Sequence, residues 1–195
     1  NCFEKYKYDY NIFKQIDTEE KAYWLGFLYA DGYVSKYNQI EVALSLEDEE
    51  HLHKLKKFIN TNTNVFKDDH RARLLFCSQQ MANDLAKLGC INNKSLVLTF
   101  PTKEQVPDEL LRHFLRGYVD GDGSLCMYKH RNILETTLNL VGTSKFLSTV
   151  KTLFGELGYI KNKTSKNWPN KAYSLTYTGL IARVICRLLY ENANI

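Results

Sequence analysis

The 195-residue sequence predicts an α+β fold of two pseudo-symmetric αββαββα units. Each unit is expected to hold an antiparallel four-stranded sheet with helices on one face, and the two units to pack through one helix of each. Three observations predict this. A short glycine motif occurs twice, the stretches after each copy resemble one another, and both halves alternate apolar and polar residues where strands belong.

The motif is WLGFLYADG from Trp24 to Gly32 and LRGYVDGDG from Leu115 to Gly123. Gly26 and Gly117 stand 91 residues apart, as do Asp31 and Asp122. Downstream, EVALSLEDEEHLHKLKKFI (from Glu41) aligns with ETTLNLVGTSKFLSTVKTLF (from Glu135) at an offset of 94. Ala72, Ser78 and Ala82 then match Ala172, Thr178 and Ala182 at an offset of 100. This divides the chain into an N-terminal extension (1–16), a first half (17–88), a linker (89–106) and a second half (107–195).

Each half opens with the motif helix. Asp17 is the expected N-cap of the first, with Glu20 completing a capping box. Pro107, Asp108 and Glu109 start the second. Next come strands in which Ile40, Val42, Leu44 and Leu46, and then Leu134, Thr136, Leu138 and Leu140, face the core. Helices are expected near 49–59 and 143–157, followed by two more strands and a last helix.

Composition narrows the function. No apolar run reaches the roughly 18 residues of a membrane span, and no secretory signal opens the chain, so an intracellular setting is expected: cytoplasm, nucleoid or an organelle. A start at Asn1 and an end at Ile195 leave room for trimmed termini. Five cysteines without a CxxC spacing point to reduced thiols, not to a zinc site or a disulfide framework. A net charge of +4 is compatible with nucleic acid. The basic stretch from Lys161 to Lys171, with four lysines and no acid, and the acidic run from Glu47 to Glu50 are each a solvated surface or a binding feature.

Gly26 and Ala30 share one helix face, as do Gly117 and Gly121. Small residues at this spacing let two helix backbones approach, so the motif helices are expected to pack on each other there. Trp24, Phe27, Leu28, Leu115, Tyr118 and Val119 anchor them in their own halves. Each helix ends in Asp-Gly. A carboxylate at a helix C-terminus is disfavoured by about 0.3–1 kcal/mol, and two side by side repel. A divalent cation bound by carboxylate and carbonyl oxygens compensates both effects.

The two motifs and their spacing resemble the LAGLIDADG homing endonucleases of the single-chain, two-motif type, over nearly the whole chain. The resemblance implies a metal-dependent, site-specific double-strand DNA endonuclease. Asp31 and Asp122, at the eighth motif position, would hold Mg²⁺, with the carbonyls of Ala30 and Gly121 joining in; Mn²⁺ would substitute and Ca²⁺ would bind without supporting cleavage. It further implies a monomer acting on a long, asymmetric duplex site, one cut per strand across the minor groove, and short 3′ overhangs. Lys94, followed by Ser95, matches a lysine the family often places near the active site; an exposed loop lysine is the other reading. Where the family often has Gln after the second strand, this chain has Glu47 and Val141. Glu47 either orients a metal-bound water or favours the next helix as a first-turn acid. Asp120, two residues before Asp122, is expected to be structural.

Hydrolysis of a phosphodiester needs an activated water, neutralised phosphate charge and a stabilised leaving oxygen. Two-stranded ribbons fit the major groove. Strand parity turns Tyr33, Ser35, Tyr37, Gln39, Glu41, Ala43 and Ser45 toward DNA in the first half. In the second it selects Ser124, Cys126, Tyr128, His130, Glu135, Thr137 and Asn139. Arg71, Arg73, Lys171 and Tyr173 come from the outer strands, and Lys129, Lys161, Lys163 and Lys166 suit phosphates. The rival reading on the same fold is a cleavage-deficient DNA-binding regulator or an intron RNA maturase; a structural pseudo-dimer that binds a protein through its basic face is the third.

Overall fold

The computed structural model describes residues 7–92, 94, 97–130, 133–162 and 172–193. The first unit contains α1 (Glu19–Ala30), β1 (Gly32–Val34), β2 (Gln39–Ser45), α2 (Glu49–Phe58), β3 (Val65–Lys67), β4 (Arg71–Cys77) and α3 (Gln79–Lys87). The second contains α4 (Leu111–Asp122), β5 (Gly123–His130), β6 (Ile133–Gly142), α5 (Ser144–Phe154), β7 (Tyr159–Asn162), β8 (Tyr173–Thr178) and α6 (Gly179–Tyr190). The sheets are antiparallel, ordered β1-β2-β4-β3 and β5-β6-β8-β7, so the predicted αββαββα repeat is the observed one. Among the described residues, no helix is long and apolar enough to cross a membrane.

Helix starts follow local chemistry. Thr18, not Asp17, caps α1: its hydroxyl accepts the Lys21 N–H at 3.2 Å, while Asp17 pairs with the Lys21 ammonium at 2.8 Å. Ser78 and Thr143 cap α3 and α5 in the same way. Pro107 leads into a 3₁₀ turn, Asp108–Leu110, that runs into α4.

α1 and α4 form the centre. They run side by side in one direction, with Tyr23–Phe27 against Phe114–Tyr118 and Ala30–Asp31 against Gly121. A Cβ added to Gly26 would stand 1.9 Å from the Phe114 carbonyl oxygen, and one added to Gly117 would stand 1.9 Å from that of Tyr23. At Gly121 it would meet the Ala30 Cβ at 2.4 Å. The small-residue faces predicted from spacing are thus the contact. Trp24, Phe27 and Leu28 are buried on one side of it, Leu115, Tyr118 and Val119 on the other.

The sheet register corrects the repeat alignment. Gly32 pairs with Val42 and Gly123 with Leu140, so those two strand positions are equivalent, 98 residues apart rather than 94. Leu74 and Leu175 lie opposite them, 101 apart rather than 100. The difference of four leaves the faces of β6 unchanged. The difference of one reverses that of β8. Tyr173 therefore lies level with Gly142 and packs on the core side, while Ser174 and Thr176 take the outer parity.

Two further departures matter. The β5–β6 ribbon runs eight residue pairs against three for β1–β2, so Leu134, expected in the core, is exposed with Leu125 and Met127. A 3₁₀ turn, Leu46–Asp48, separates β2 from α2; in the second unit β6 passes straight through Thr143 into α5. Leu46 and Glu47 belong to that turn and are exposed, rather than continuing the strand.

Gly26→Ala and Gly117→Ala should each destabilise the protein by about 3 kcal/mol or more, because the new methyl meets main chain that cannot give way. Urea unfolding followed by circular dichroism measures it. A cost below about 1 kcal/mol would mean that the helices do not touch at these glycines.

Candidate metal and nucleic-acid site

The ends of α1 and α4 meet where β1 and β5 begin. Asp31 is the C-cap of α1, and Asp122 is the last residue of α4. The Asp31 carboxylate lies beside the Gly121 backbone: a Cβ there would be 3.1 Å from Asp31 Oδ2. Burial raises the pKa of both acids. For Asp122 burial and then the Asp31 charge push it to about 6, with Lys94 opposing. For Asp31 burial acts first, Lys94 opposes it and Asp48 adds to it.

Lys94, from the linker, is buried between them. Its Nζ donates to the carbonyls of Ala30 at 3.1 Å and Gly32 at 2.5 Å. Burial lowers its pKa, against the charges of Cys90, Asp122 and Asp31. This is no exposed loop lysine. Its ammonium neutralises the negative end of α1, and it occupies the Ala30 carbonyl expected among the metal ligands.

A cavity of about 310 Å³ opens beside Asp31, lined by Phe27, Leu44, Asp48, His51, Asp120 and Gly121. Asp48 and His51 were not singled out from sequence. Asp48 sits on the 3₁₀ turn, with its carboxylate accepting from the Ser45 hydroxyl at 2.7 Å. Glu47, the sequence candidate, does not line the cavity. Asp120 ties three helices together, accepting from the Tyr23 hydroxyl of α1 at 2.7 Å and from the Tyr190 hydroxyl of α6. Tyr23 Oη in turn lies 3.0 Å from His51 Nε2. On the other side of the helix pair, the Tyr118 hydroxyl donates to the Val141 carbonyl at 2.7 Å and lies where a side chain at Gly142 would be, 2.8 Å from its Cβ position.

A divalent cation fits this donor set in part. Two desolvated carboxylates lie beside one buried ammonium among the described residues, and a cation relieves the burial of both acids. Among the described residues, no group of three or more His, Cys, Asp or Glu forms a complete ligand set. Water and phosphate oxygens of a bound substrate would supply the remainder.

The outer faces of the sheets carry most of the residues assigned by parity. Tyr33, Gln39, Arg71 and Arg73 are exposed in the first, with Glu41 and Ala43 half-buried. Ser124, Cys126, Tyr128 and Lys161 are exposed in the second, with Glu135, Thr137 and Asn139 half-buried. Several are already engaged: Arg73 with Asp68 at 3.5 Å, Tyr128 donating to Glu135 at 3.0 Å, and Thr176 donating to Asn139 at 3.0 Å. Ser35 is not available. It is buried in the β1–β2 turn, accepting the N–H groups of Tyr37 and Gln39 at 3.1 Å each. Tyr37 is on that turn, exposed. Lys163, Lys166 and Lys171 lie outside the described residues, as does the side chain of His130.

Solved structures share this architecture. The I-LtrWI LAGLIDADG homing endonuclease bound to target DNA aligns with a TM-score of 0.56, covering 89% of this chain and 84% of that one at 13% identity. The meganuclease I-SmaMI bound to uncleaveable DNA aligns with a TM-score of 0.58, over 93% and 84%, at 13% identity. This chain has the fold of the LAGLIDADG homing endonucleases. No family model matches the sequence. Two curated proteins of Methanocaldococcus jannaschii do, each at 29% identity. The replication factor C small subunit matches over 175 residues, 84% of this chain and 9% of that protein. The DNA-directed RNA polymerase subunit Rpo1C matches over 127 residues, 60% and 14%. The chain thus spans only a small part of the length of either relative.

The raised pKa of Asp122 has a consequence for stability. Its native carboxyl holds a proton more tightly than in the unfolded chain. The stability from this group is complete below about pH 3.8 and is lost as pH rises through about 6. The loss is on the order of 3 kcal/mol. In the absence of divalent metal, Asp122→Asn should be the more stable protein at pH 7.5, with the difference vanishing near pH 4. Urea midpoints in EDTA across this range test it; a variant no more stable at pH 7.5 would refute it.

Proposed function

We propose that the chain is a site-specific double-strand DNA endonuclease of the homing type, hydrolysing phosphodiester bonds with divalent metal ions held by Asp31 and Asp122. The observation that carries this reading is the pair of desolvated carboxylates at the junction of two packed helices, centred between two sheets with polar outer faces. The likeness to endonucleases solved on DNA supports it. The chain also matches a small part of a replication factor subunit and of an RNA polymerase subunit.

Bound metal, Mg²⁺ by preference and Mn²⁺ as a substitute, would neutralise phosphate charge and lower the pKa of an attacking water. Asp31 and Asp122 would hold it. Gly121 lets the backbones close so that both acids reach one place, and burial keeps their charges from being screened by water. The Lys94 ammonium fixes the end of α1 and offsets the carboxylate charge until the substrate arrives. Tyr33, Gln39, Glu41, Arg71, Arg73, Ser124, Tyr128, Thr137, Asn139 and Lys161 would contact the duplex, the cations chiefly at phosphates. Tyr37 on its turn completes the proposed surface.

The two sides of the site differ. Asp48 and His51 line the cavity beside Asp31, while Lys94 acts on both carboxylates. Around Asp122 stand the Tyr118 hydroxyl and Gly142, and among the described residues the 3₁₀ turn has no counterpart. One strand should therefore be cut before the other, with Asp48 positioning the water of the earlier cut.

A supercoiled plasmid carrying the flanks of the gene's own insertion point tests the whole reading. With Mg²⁺ it should pass through nicked circle to linear product; with Ca²⁺ it should be bound and left intact. Asp31→Asn and Asp122→Asn should bind without cutting. DNA bound tightly but uncut under all conditions would favour the regulator or maturase, and tight binding to intron RNA would single out the latter.

Asp48→Asn should slow the first cut about tenfold, the usual scale for a group acting through an outer shell, and leave the second cut unchanged. Equal slowing of both cuts, or linear product without a nicked stage in the parent, would remove the asymmetry while leaving the cutting activity in place.

A further inference from the structure

A hydrogen-bonded chain of four side chains, Tyr190, Asp120, Tyr23 and His51, reaches the cavity beside Asp31, and it has a fixed direction. Asp120 accepts at both carboxylate oxygens, Oδ2 from the Tyr23 hydroxyl at 2.7 Å and Oδ1 from the Tyr190 hydroxyl. Burial, and then the Asp120 charge, push the Tyr23 pKa upward, so that hydroxyl keeps its proton. A phenol has one proton to donate. Because Tyr23 gives it to Asp120, its oxygen accepts from His51 Nε2, 3.0 Å away. The neutral imidazole therefore carries its proton on Nε2, which leaves a free lone pair on Nδ1.

The ring is fixed, neutral and open. Phe27 and Trp24 of α1 hold it, with ring centroids at 4.6 and 4.8 Å. Burial lowers its pKa; the Asp120 charge opposes this, Lys54 adds to it and Asp48 opposes it. His51 is half-buried and lines the cavity together with Asp31 and Asp48. Among the described residues Nδ1 has no hydrogen-bond partner, and it is not sealed in the interior.

The second unit shows that packing does not require this chemistry. Leu52 and Leu55 of α2 match Leu147 and Val150 of α5, all buried, so His51 matches Phe146. Tyr23 matches Phe114 at the motif offset of 91. The contact of Phe27 with His51, 4.6 Å between rings, has its equivalent in that of Tyr118 with Phe146, 4.3 Å. Two phenylalanines fill the space that the first unit gives to a phenol and an imidazole.

We propose that His51 is the catalytic base of the earlier cut, its Nδ1 facing the cavity and taking a proton from the attacking water that Asp48 positions. The assignment rests on the endonuclease function proposed above. As the water oxygen bonds to phosphorus, its proton passes to Nδ1, and the bond from phosphorus to the leaving sugar oxygen breaks with its electron pair on that oxygen. The sugar oxygen takes a proton from solvent, and the imidazolium returns its own to solvent. Nε2–H stays on the Tyr23 oxygen throughout, and the Asp120 charge favours the imidazolium. Tyr23 is thus a positioning residue: it decides which ring nitrogen is bare.

Two measurements test it. In the full chain without DNA, in EDTA, long-range ¹H–¹⁵N spectra separate protonated from bare ring nitrogens among the five histidines. The signal lost in His51→Gln identifies His51. It should show a proton on Nε2 and none on Nδ1, and Tyr23→Phe should remove that preference. On the supercoiled target plasmid, His51→Gln and His51→Ala should bind as the parent does and nick about a hundredfold more slowly. Added imidazole should restore nicking by His51→Ala and leave His51→Gln slow, which a merely structural role would not produce. Unchanged circular dichroism confirms that the variants fold. A proton on Nδ1, nicking by His51→Gln at the parent's rate, or a slow His51→Ala that imidazole does not relieve would overturn the proposal and leave the endonuclease function standing. A parent that cuts nothing would overturn that function, and the base with it.

Discussion

Everything in the molecule depends on how closely two helix backbones can come. At Gly26 and Gly117 the partner's carbonyl oxygen stands where a methyl group would be. No other residue type permits that distance. The contact holds the units together, and it also brings the last turns of α1 and α4 to one point. Two residues that each unit places at its own helix end thereby become neighbours. The packing constraint and the chemical site are one feature seen at two heights along the helix pair.

That arrangement stores electrostatic cost. Burial holds the carboxyls of Asp31 and Asp122 above their ordinary range, with the Asp48 charge adding at Asp31 and the Asp31 charge adding at Asp122. A protein under selection for stability alone would place apolar or neutral residues there. The neighbouring network shows the contrast. Asp120, two residues from Asp122, is satisfied by the hydroxyls of Tyr23 and Tyr190, and its role is to join α1, α4 and α6. Within one turn of helix, one acid is fully partnered and another is left short of partners. The second is the one expected to meet a ligand.

The repeat, the element order, the helix contact and the central pair of acids were legible in the sequence because each follows from spacing along one helix or strand. What was not legible depended on insertions. The sequence aligns Glu41 with Glu135 at an offset of 94, yet the sheet pairs give an offset of 98. That difference is even, so the faces survived. At Tyr173 the difference was one, and a residue assigned to the outer face belongs to the core side. The strand period points to Glu47 rather than Asp48 because a three-residue 3₁₀ turn interrupts it, and a period cannot be extrapolated across an element that does not share it. Thr18 displaced Asp17 as cap for a similar reason: Asp17 was drawn into an ion pair with Lys21. Nothing in the sequence marks His51, which becomes part of the cavity only through the way α2 lies on α1.

Lys94 belongs by position to the connection and by contact to the end of α1. A tether of this kind does more than keep two units at high local concentration. It also delivers an ammonium to the end of α1, so the connection itself contributes a charged group to the centre of the molecule. Splitting the chain just before Lys94 would separate this ammonium from the carbonyls it holds as well as one unit from the other. Once a single covalent thread supplies such a group, the two units are free to diverge, because neither must any longer be a copy of the other.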